Sequence, residues 1–449
     1  MAEERDPTPC RESLGVAGGP GTSAPSWRAW AVAILAAALL ASPVPAVAAP
    51  DVPVPVSRYV ASALAGHPTL GAMRQRVAVK ENEATRARAL DDPKVWVGVV
   101  SVPVDTWSFR QEDMTGKEIG VSQAIPYPGK RDHAERIVRQ EAEQAAHELE
   151  ETRNALRADV KMAYFELSTV RRQADAVRQA RALLEQVVDV SREKFAVGKG
   201  SQPEVLKAQL EFQRMRETLL SLSNRERLLS IRLNTLSGVP ASEPVPALDN
   251  LSEFAFPRTA EELKRLYLEN RPARKAIQAR IRRGALGIVH AEHEGSPDFE
   301  VSASYMQRDK TPDGAKRSDM FSAMLSVTLP IWRKGKVEPA IRAMTAEKEM
   351  AVLEEEALDL EAENAIGAAL SSIASYGEAA RLYRTTLLPQ AEQSLESSFE
   401  AYRVGKIDLP MAVDSLVAVV ALRREYAGMV GEMHTAKARL ESTAGRELE

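Results

Sequence analysis

From Lys130 to Val197 the chain contains neither proline nor glycine. Leu156, Val160, Ala163, Leu167, Val170, Ala174, Val177, Leu184, Val188 and Phe195 recur through it at threes and fours or their multiples. That period is a coiled-coil seam. At 1.5 Å per residue, about 67 helical residues span roughly 100 Å. No ordinary globular domain needs such a helix, and it must find partners along its whole length.

The chain writes this plan twice. Aligning Gly198 with Gly405 pairs Phe195 with Tyr402, Val197 with Val404, Lys199 with Lys406 and Pro203 with Pro410. Downstream of the first glycine, Val205, Ala208, Phe212, Met215, Leu219, Leu222, Glu226, Leu229, Leu233 and Leu236 are spaced by threes and fours. The same offset lands on Ala412, Ser415, Val419, Leu422, Tyr426, Met429, Met433, Ala436, Leu440 and Thr443. Both seams predict returning helices, broken only by Glu226 in the first and ended by Gly238 and Gly445. The second long helix runs from about Lys336 to Val404, with Pro339 tolerated near its start and a kink expected at Pro389. Each copy opens with a shorter helix, introduced by Ala65-Gly66-His67-Pro68 and Glu269-Asn270-Arg271-Pro272. The short helix and the returning helix, stacked end to end, nearly match the long one.

The turns themselves, FAVGKGSQPEVL (195–206) and YRVGKIDLPMAV (402–413), superficially suggest a phosphate loop. A Walker A motif needs a glycine five residues before the Gly-Lys, where this chain has Glu193 inside the helix. They read instead as helix reversals. Gly198 and Gly200 turn the chain, Ser201 caps the first returning helix, Pro203 sits in its first turn, and Asp408 is the cap of the second.

Between the helices the period changes to two. Phe299, Val301, Ala303 and Tyr305 alternate with Glu300, Ser302 and Ser304, and Phe321, Ala323, Leu325, Val327 and Leu329 alternate with Ser322, Met324, Ser326 and Thr328. Ile119, Val121 and Ile125 alternate with Gly120, Ser122 and Ala124, and a more uniformly apolar strand is expected near Val95 to Val102. This is the pattern of membrane-barrel strands with their apolar face to lipid. Trp96, Trp107, Tyr127, Tyr305 and Trp332 are placed for an aromatic girdle. Four strands cannot close a barrel, and lipid does not tolerate open edges. Either the barrel is shared among protomers, or these are two soluble hairpins packed on helices.

Arg28, the apolar run Ala29 to Ala41 and the small-x-small site Ala46-Val47-Ala48 read as a signal peptide, with a retained anchor as the alternative. The only cysteine, Cys10, precedes the apolar run, so the mature chain is expected to carry no disulfide, thiol nucleophile or lipid anchor. A net charge of −4 gives no sign of nucleic-acid binding. The expected organisation is a signal peptide (1–48), a first repeat (49–238), a proline-rich linker (239–258), a second repeat (259–445) and a short tail (446–449).

With the repeat, the two X-Pro helix starts, the corners QAIPYPGKR (123–131) and LPIWRKGK (329–336) and the two VGK turns, the chain resembles the TolC-like outer-membrane factors of Gram-negative bacteria. The IPYPGKR style of corner is most similar to the heavy-metal efflux branch. The resemblance implies a mainly helical fold with a small β portion. Three protomers would share a twelve-stranded outer-membrane barrel above a hollow helical tunnel reaching into the periplasm. It also implies a periplasmic adaptor and an inner-membrane pump of the RND class as partners, no catalysis and no cofactor. The turn tips Val197, Gly198, Lys199, Gly200, Ser201, Val404, Gly405, Lys406 and Asp408 would meet the adaptor. Family gating carboxylates fall on Met411 and Asp414, of which only Asp414 is acidic, so a doubled carboxylate ring is not expected. Glu204 and Lys207 are the first-copy equivalents. Arg403 and Lys406 are candidates to neutralise Asp414.

Two further clusters bear on chemistry. His290, Glu292, His293 and Glu294 could offer imidazole and carboxylate to zinc or copper, but they sit at a helix end where a corner role suits them better. Met306, Met320 and Met324 could touch Cu(I), although lipid-facing or packing positions are the expectation. No serine elbow, HExxH or acid–base dyad occurs, which weakens any enzyme reading. The function expected is a passive exit duct for heavy-metal cations. Drug efflux or type I protein secretion is the alternative within that class, and a soluble periplasmic coiled coil the alternative outside it.

Overall fold

A computed structural model describes residues 53–448; the signal segment, Cys10 and the terminal Glu449 lie outside the described residues. The first half runs α1 (Val56–Gly66), α2 (Pro68–Arg88), β1 (Lys94–Val100), β2 (Gly116–Ile125), α3 (Lys130–Ala196) and α4 (Gln202–Leu236). The second half repeats the order: α5 (Ala260–Asn270), α6 (Pro272–His293), β3 (Asp298–Gln307), β4 (Met320–Thr328), α7 (Arg333–Leu382), a π turn (Tyr383–Leu387), α8 (Leu388–Arg403) and α9 (Leu409–Ala444).

Helix α3 is unbroken for 67 residues. Its expected seam is buried from Leu156 through Val188, and Phe195 at its end is exposed. Two helices cover it in succession. Helix α2 pairs with its first part through Arg76–Glu148 and Lys80–Glu141, and α4 with its second part through Arg171–Glu226. The one charged residue in the first returning seam is thereby explained: Glu226 faces Arg171 of α3 at 2.9 Å. In the second half, Arg274, Arg280 and Arg283 of α6 grip Glu355, Glu354 and Glu347 of α7 in the same way.

The second returning helix differs from expectation. Ala412, Val419, Met433, Ala436 and Leu440 are buried as the seam requires, but Ser415, Leu422, Tyr426 and Met429 are only half-buried. Leu416, Val420, Ala427 and Val430 are buried instead. Helix α9 lies against α3 as well as α7 and α8, so it is covered on two sides and a single seam underdescribes it.

Pro389 is absorbed without a sharp break. It sits in the first turn of α8, directly after the π turn, where Leu388 N–H reaches back five residues to Tyr383 O. A proline lacks the N–H that a regular helix would pair, and one wider turn re-registers the ladder around it. Below this point α8 buries no residue completely.

The 239–258 segment, expected as a linker, is strapped to the helices by side chains. The buried Tyr164 hydroxyl donates to Val54 O at 2.8 Å and accepts from Asp249 N–H at 2.8 Å. Ser168 donates to Asp249 O at 3.0 Å, and Arg171 to Val245 O at 2.8 Å. His434 of α9, between Phe165 and Phe254, bonds Ser252 O through Nε2 at 2.8 Å.

The strands form one antiparallel sheet in the order β1-β2-β3-β4, joining the two halves through β2 and β3. Its register separates two faces. Val95, Val97, Ile119, Val121, Val301, Tyr305, Phe321 and Leu325 share one, and Val97 is 78% and Phe321 73% exposed. Lys94, Glu118, Gly120, Ser122, Glu300, Ser302, Ser304 and Ser322 share the other. Both outer strands keep an unpaired edge.

That register corrects two expectations. Trp96 stands opposite Gly120 on the polar face, not with the girdle aromatics. Met306, Met320 and Met324 also fall on the polar face, paired in register with Glu118, with one another and with Ser302, so they are not lipid-facing. Trp107, Tyr305 and Trp332 are exposed as a girdle requires, whereas Tyr127 is half-buried in the corner beside His293. No helix among the described residues is long and apolar enough to cross a membrane.

Candidate functional site

The two turns at the helical end are built alike. In the first, Gly198 has φ 71°, its N–H donates to Phe195 O at 3.0 Å, and Lys199 N–H donates to Lys194 O at 2.8 Å. In the second, Gly405 has φ 73°, its N–H donates to Tyr402 O at 3.0 Å, and Lys406 N–H donates to Ala401 O at 2.9 Å. Each is a Schellman stop, in which a left-handed residue lets the last carbonyls be satisfied. The left-handed backbone is why both copies keep glycine there.

The returning helices start differently. Ser201 opens α4 in a capping box, with the Glu204 carboxylate accepting from Ser201 N–H at 3.4 Å. Glu204 is therefore engaged in capping its own helix. Asp408 occupies the N-cap position of α9, but its carboxylate bonds no backbone N–H, contrary to the cap expected of it. Gly200 is close-packed against Lys194 and Phe195, while Val197, Lys199, Ser201, Val404 and Lys406 are exposed at the tips.

Just above the turns the two hairpins meet. Lys207 Nζ of α4 lies 3.0 Å from Asp414 Oδ1 of α9 and 3.3 Å from Glu211 Oε1 of its own helix. Arg214 holds the buried Glu211 from the next turn at 2.7 Å. Lys194 of α3 places its ammonium 4.1 Å from the Tyr402 ring centroid. Leu409, Val413 and Leu416 extend the core of the first hairpin into the second. The hydrogen bond to Asp414 raises the Lys207 pKa above its usual 10.5 against the opposing effect of burial, and Glu211 adds to the rise. The partner of Asp414 is thus Lys207, not the expected Arg403 or Lys406; Arg403 turns to Glu400 on its own helix. Asp414 remains 64% exposed beside this contact, and Met411 is exposed one turn earlier.

At the opposite end the corner motif is anchored across the repeat. Lys130, buried at the start of α3, sits 2.8 Å from Asp298 Oδ2 and donates to Ser296 O at 3.2 Å, while Tyr127 N–H donates to Asp298 Oδ1 at 2.8 Å. His293 stacks on His133 with centroids 4.6 Å apart, and His290 Nε2 lies 3.9 Å from Glu294. Burial, then the neighbouring His293, holds the His133 pKa below 6.5. Among the described residues no three metal-ligating side chains converge on one point. The histidines occupy the corner, and His133 was missed in the sequence because 160 residues separate it from His293.

A family model described as "Outer membrane efflux protein" matches residues 59–239 and again 263–446. No curated protein matches. Among solved structures, the outer membrane protein VceC of Vibrio cholerae is 18% identical with a TM-score of 0.72, covering 88% of this chain and 97% of its own. The CmeC outer membrane channel of Campylobacter jejuni is 14% identical with a TM-score of 0.71, covering 87% and 85%. The open state of the MtrE outer membrane channel of Neisseria gonorrhoeae is 14% identical with a TM-score of 0.72, covering 88% and 89%. At these identities the likeness shows the fold.

Proposed function

The chain belongs to the outer membrane efflux protein family, and from that membership we propose that it is the exit duct of a tripartite RND-type efflux system, passing heavy-metal cations. The carrying observation is a sheet with an exposed, largely apolar face and two unpaired edges, running directly into helices of roughly 100 Å. An apolar sheet face fits lipid, and lipid forbids free strand edges, so further copies of the chain must close the barrel. A homotrimer contributes twelve strands this way. The exposed tips at Val197–Ser201 and Val404–Asp408 then stand at the periplasmic end, where a membrane-fusion adaptor joins an inner-membrane RND pump. Asp414 and Met411 line the aperture, with Lys207 as the intramolecular latch.

The cation cargo is supported by the metal-branch style of the corner. It is also supported by Glu118 and Glu300, inward-face carboxylates without an ion-pair partner among the described residues. Fractionation followed by cross-linking tests the duct: a detergent-extracted outer-membrane trimer is expected, and a soluble periplasmic monomer sinks the reading. Loss of the chain is expected to sensitise cells to divalent metal salts. Unchanged metal tolerance with increased dye retention would remove the metal cargo and leave the duct.

A further inference from the structure

One row of the sheet's polar face sets a single large side chain among small ones. In the row containing Trp96, the cross-strand partners are Gly120, Ser304 and Ser322. The indole lies over Gly120: a Cβ added there would fall 2.2 Å from Trp96 Cζ2 and 2.4 Å from Cε2. Only glycine leaves room for the ring to lie flat on the strand, an arrangement in which an aromatic side chain covers a cross-strand glycine. The indole is partly accessible, with Trp96 37% exposed. Next along β1 on the same face is Gly98, where an added Cβ would meet nothing within 4 Å. Opposite Gly98 stands Glu118, half-buried and without an ion-pair partner among the described residues.

An indole face, an open space and a free carboxylate therefore adjoin on one face of one sheet. A π-face attracts a weakly hydrated cation, most strongly for tryptophan, and a nearby carboxylate adds to the field. A small hydrated metal ion gains little from the ring, because its water shell keeps it away. We propose that Trp96 and Glu118 form a cation-selecting station on the lumen wall that holds organic ammonium ions. The inference rests on the duct reading, since only a closed barrel turns the polar face into a lumen. It widens the cargo beyond metals: alkylammonium compounds dwell at this point on their way out.

The test uses the full-length chain reconstituted in planar bilayers, with tetraethylammonium as the blocking probe and cobalt(II) as the comparison. Tetraethylammonium is expected to block the wild-type channel. Trp96→Ala and Glu118→Gln are each expected to weaken that block about five- to thirty-fold, with Trp96→Phe intermediate. Gly120→Ala, which leaves the tryptophan but lifts it from its seat, is also expected to weaken it. The cobalt response should change with Glu118→Gln and not with Trp96→Phe. Conducting Trp96→Phe and Glu118→Gln channels with wild-type tetraethylammonium block would overturn the station while leaving the duct intact. A wild-type chain that forms no channel overturns the duct itself, and the station with it.

Discussion

Asp414 and Lys207 are aligned copies of the same repeat position, and the structure turns their difference into an ion pair. Opposite charge at matched positions joins the two returning helices where like residues could not. An exposed pair of this kind contributes ~0–1 kcal/mol, which would suit the opening contact proposed for the aperture. The raised Lys207 pKa means the lysine keeps its charge throughout the neutral range, and its side of the pair is lost as pH climbs through that raised value. In planar bilayers, Asp414→Ala is expected to raise conductance and weaken block by divalent cations about five- to tenfold, on the order of 1 kcal/mol. Unchanged conductance and block would remove Asp414 from the aperture. His434 makes a second residue-scale prediction. Burial between two phenylalanines holds its pKa below 6.5, so the folded chain binds fewer protons there than the unfolded chain. That stability is present above pH 6.5 and lost as pH falls toward the folded value. Between about pH 7.5 and 5.5 the melting temperature should therefore fall, and His434→Gln should flatten the decline. An identical slope in the variant would show that other groups cause it.

Among the elements, the two ascending helices are unequal. Helix α3 is regular throughout, whereas its counterpart is divided by the π turn before Pro389 into α7 and α8. Pro389 was visible in the sequence as a kink, but the form of the accommodation was not, because a π turn depends on backbone pairing rather than on residue type. Pro389→Ala restores an N–H donor and should let the helix continue as α, stabilising this stretch by roughly 1–3 kcal/mol. Hydrogen exchange at Tyr383 to Leu388 should slow accordingly; unchanged exchange there would show that the π turn has another cause. At the tips, the paired glycines and the X-Pro starts were fully legible, since positive φ and a missing donor are local constraints. The failed cap at Asp408 was not, because a capping rule gives the position and not the rotamer.

For the whole molecule, the sheet decides where the chain can live. Placing a charge on its apolar face should be prohibitive and on its polar face tolerable. Val97→Asp is expected to cost ~2 kcal/mol at barrel mid-height and to deplete outer-membrane trimers on gels run without heating. Ser304→Asp, on the other face, should assemble normally. Equal yields from both would mean that the Val97 face does not meet lipid. The corner beneath the sheet depends on long-range pairing. Lys130 and Asp298 are 168 residues apart, and their contact ties the first repeat's helix to the second repeat's strand.

Local rules determined most elements of this chain. Helical period, alternation, glycines with positive φ and prolines placed the long and returning helices, the strands and the tip turns, because each is enforced within a few residues of backbone, but they did not announce the opening helices α1 and α5. The repeat and the family resemblance followed from the same signals. Only the tertiary structure decided which neighbour each face meets. Trp96 reads as a girdle residue until strand pairing puts Gly120 opposite it, and strand pairing is set between segments far apart in sequence. The seam of α9 shifted for the same reason, since burial on two sides depends on which helices arrive there. Asp414 was singled out by the family resemblance, but its partner came from the approach of two hairpins that no spacing in the sequence encodes.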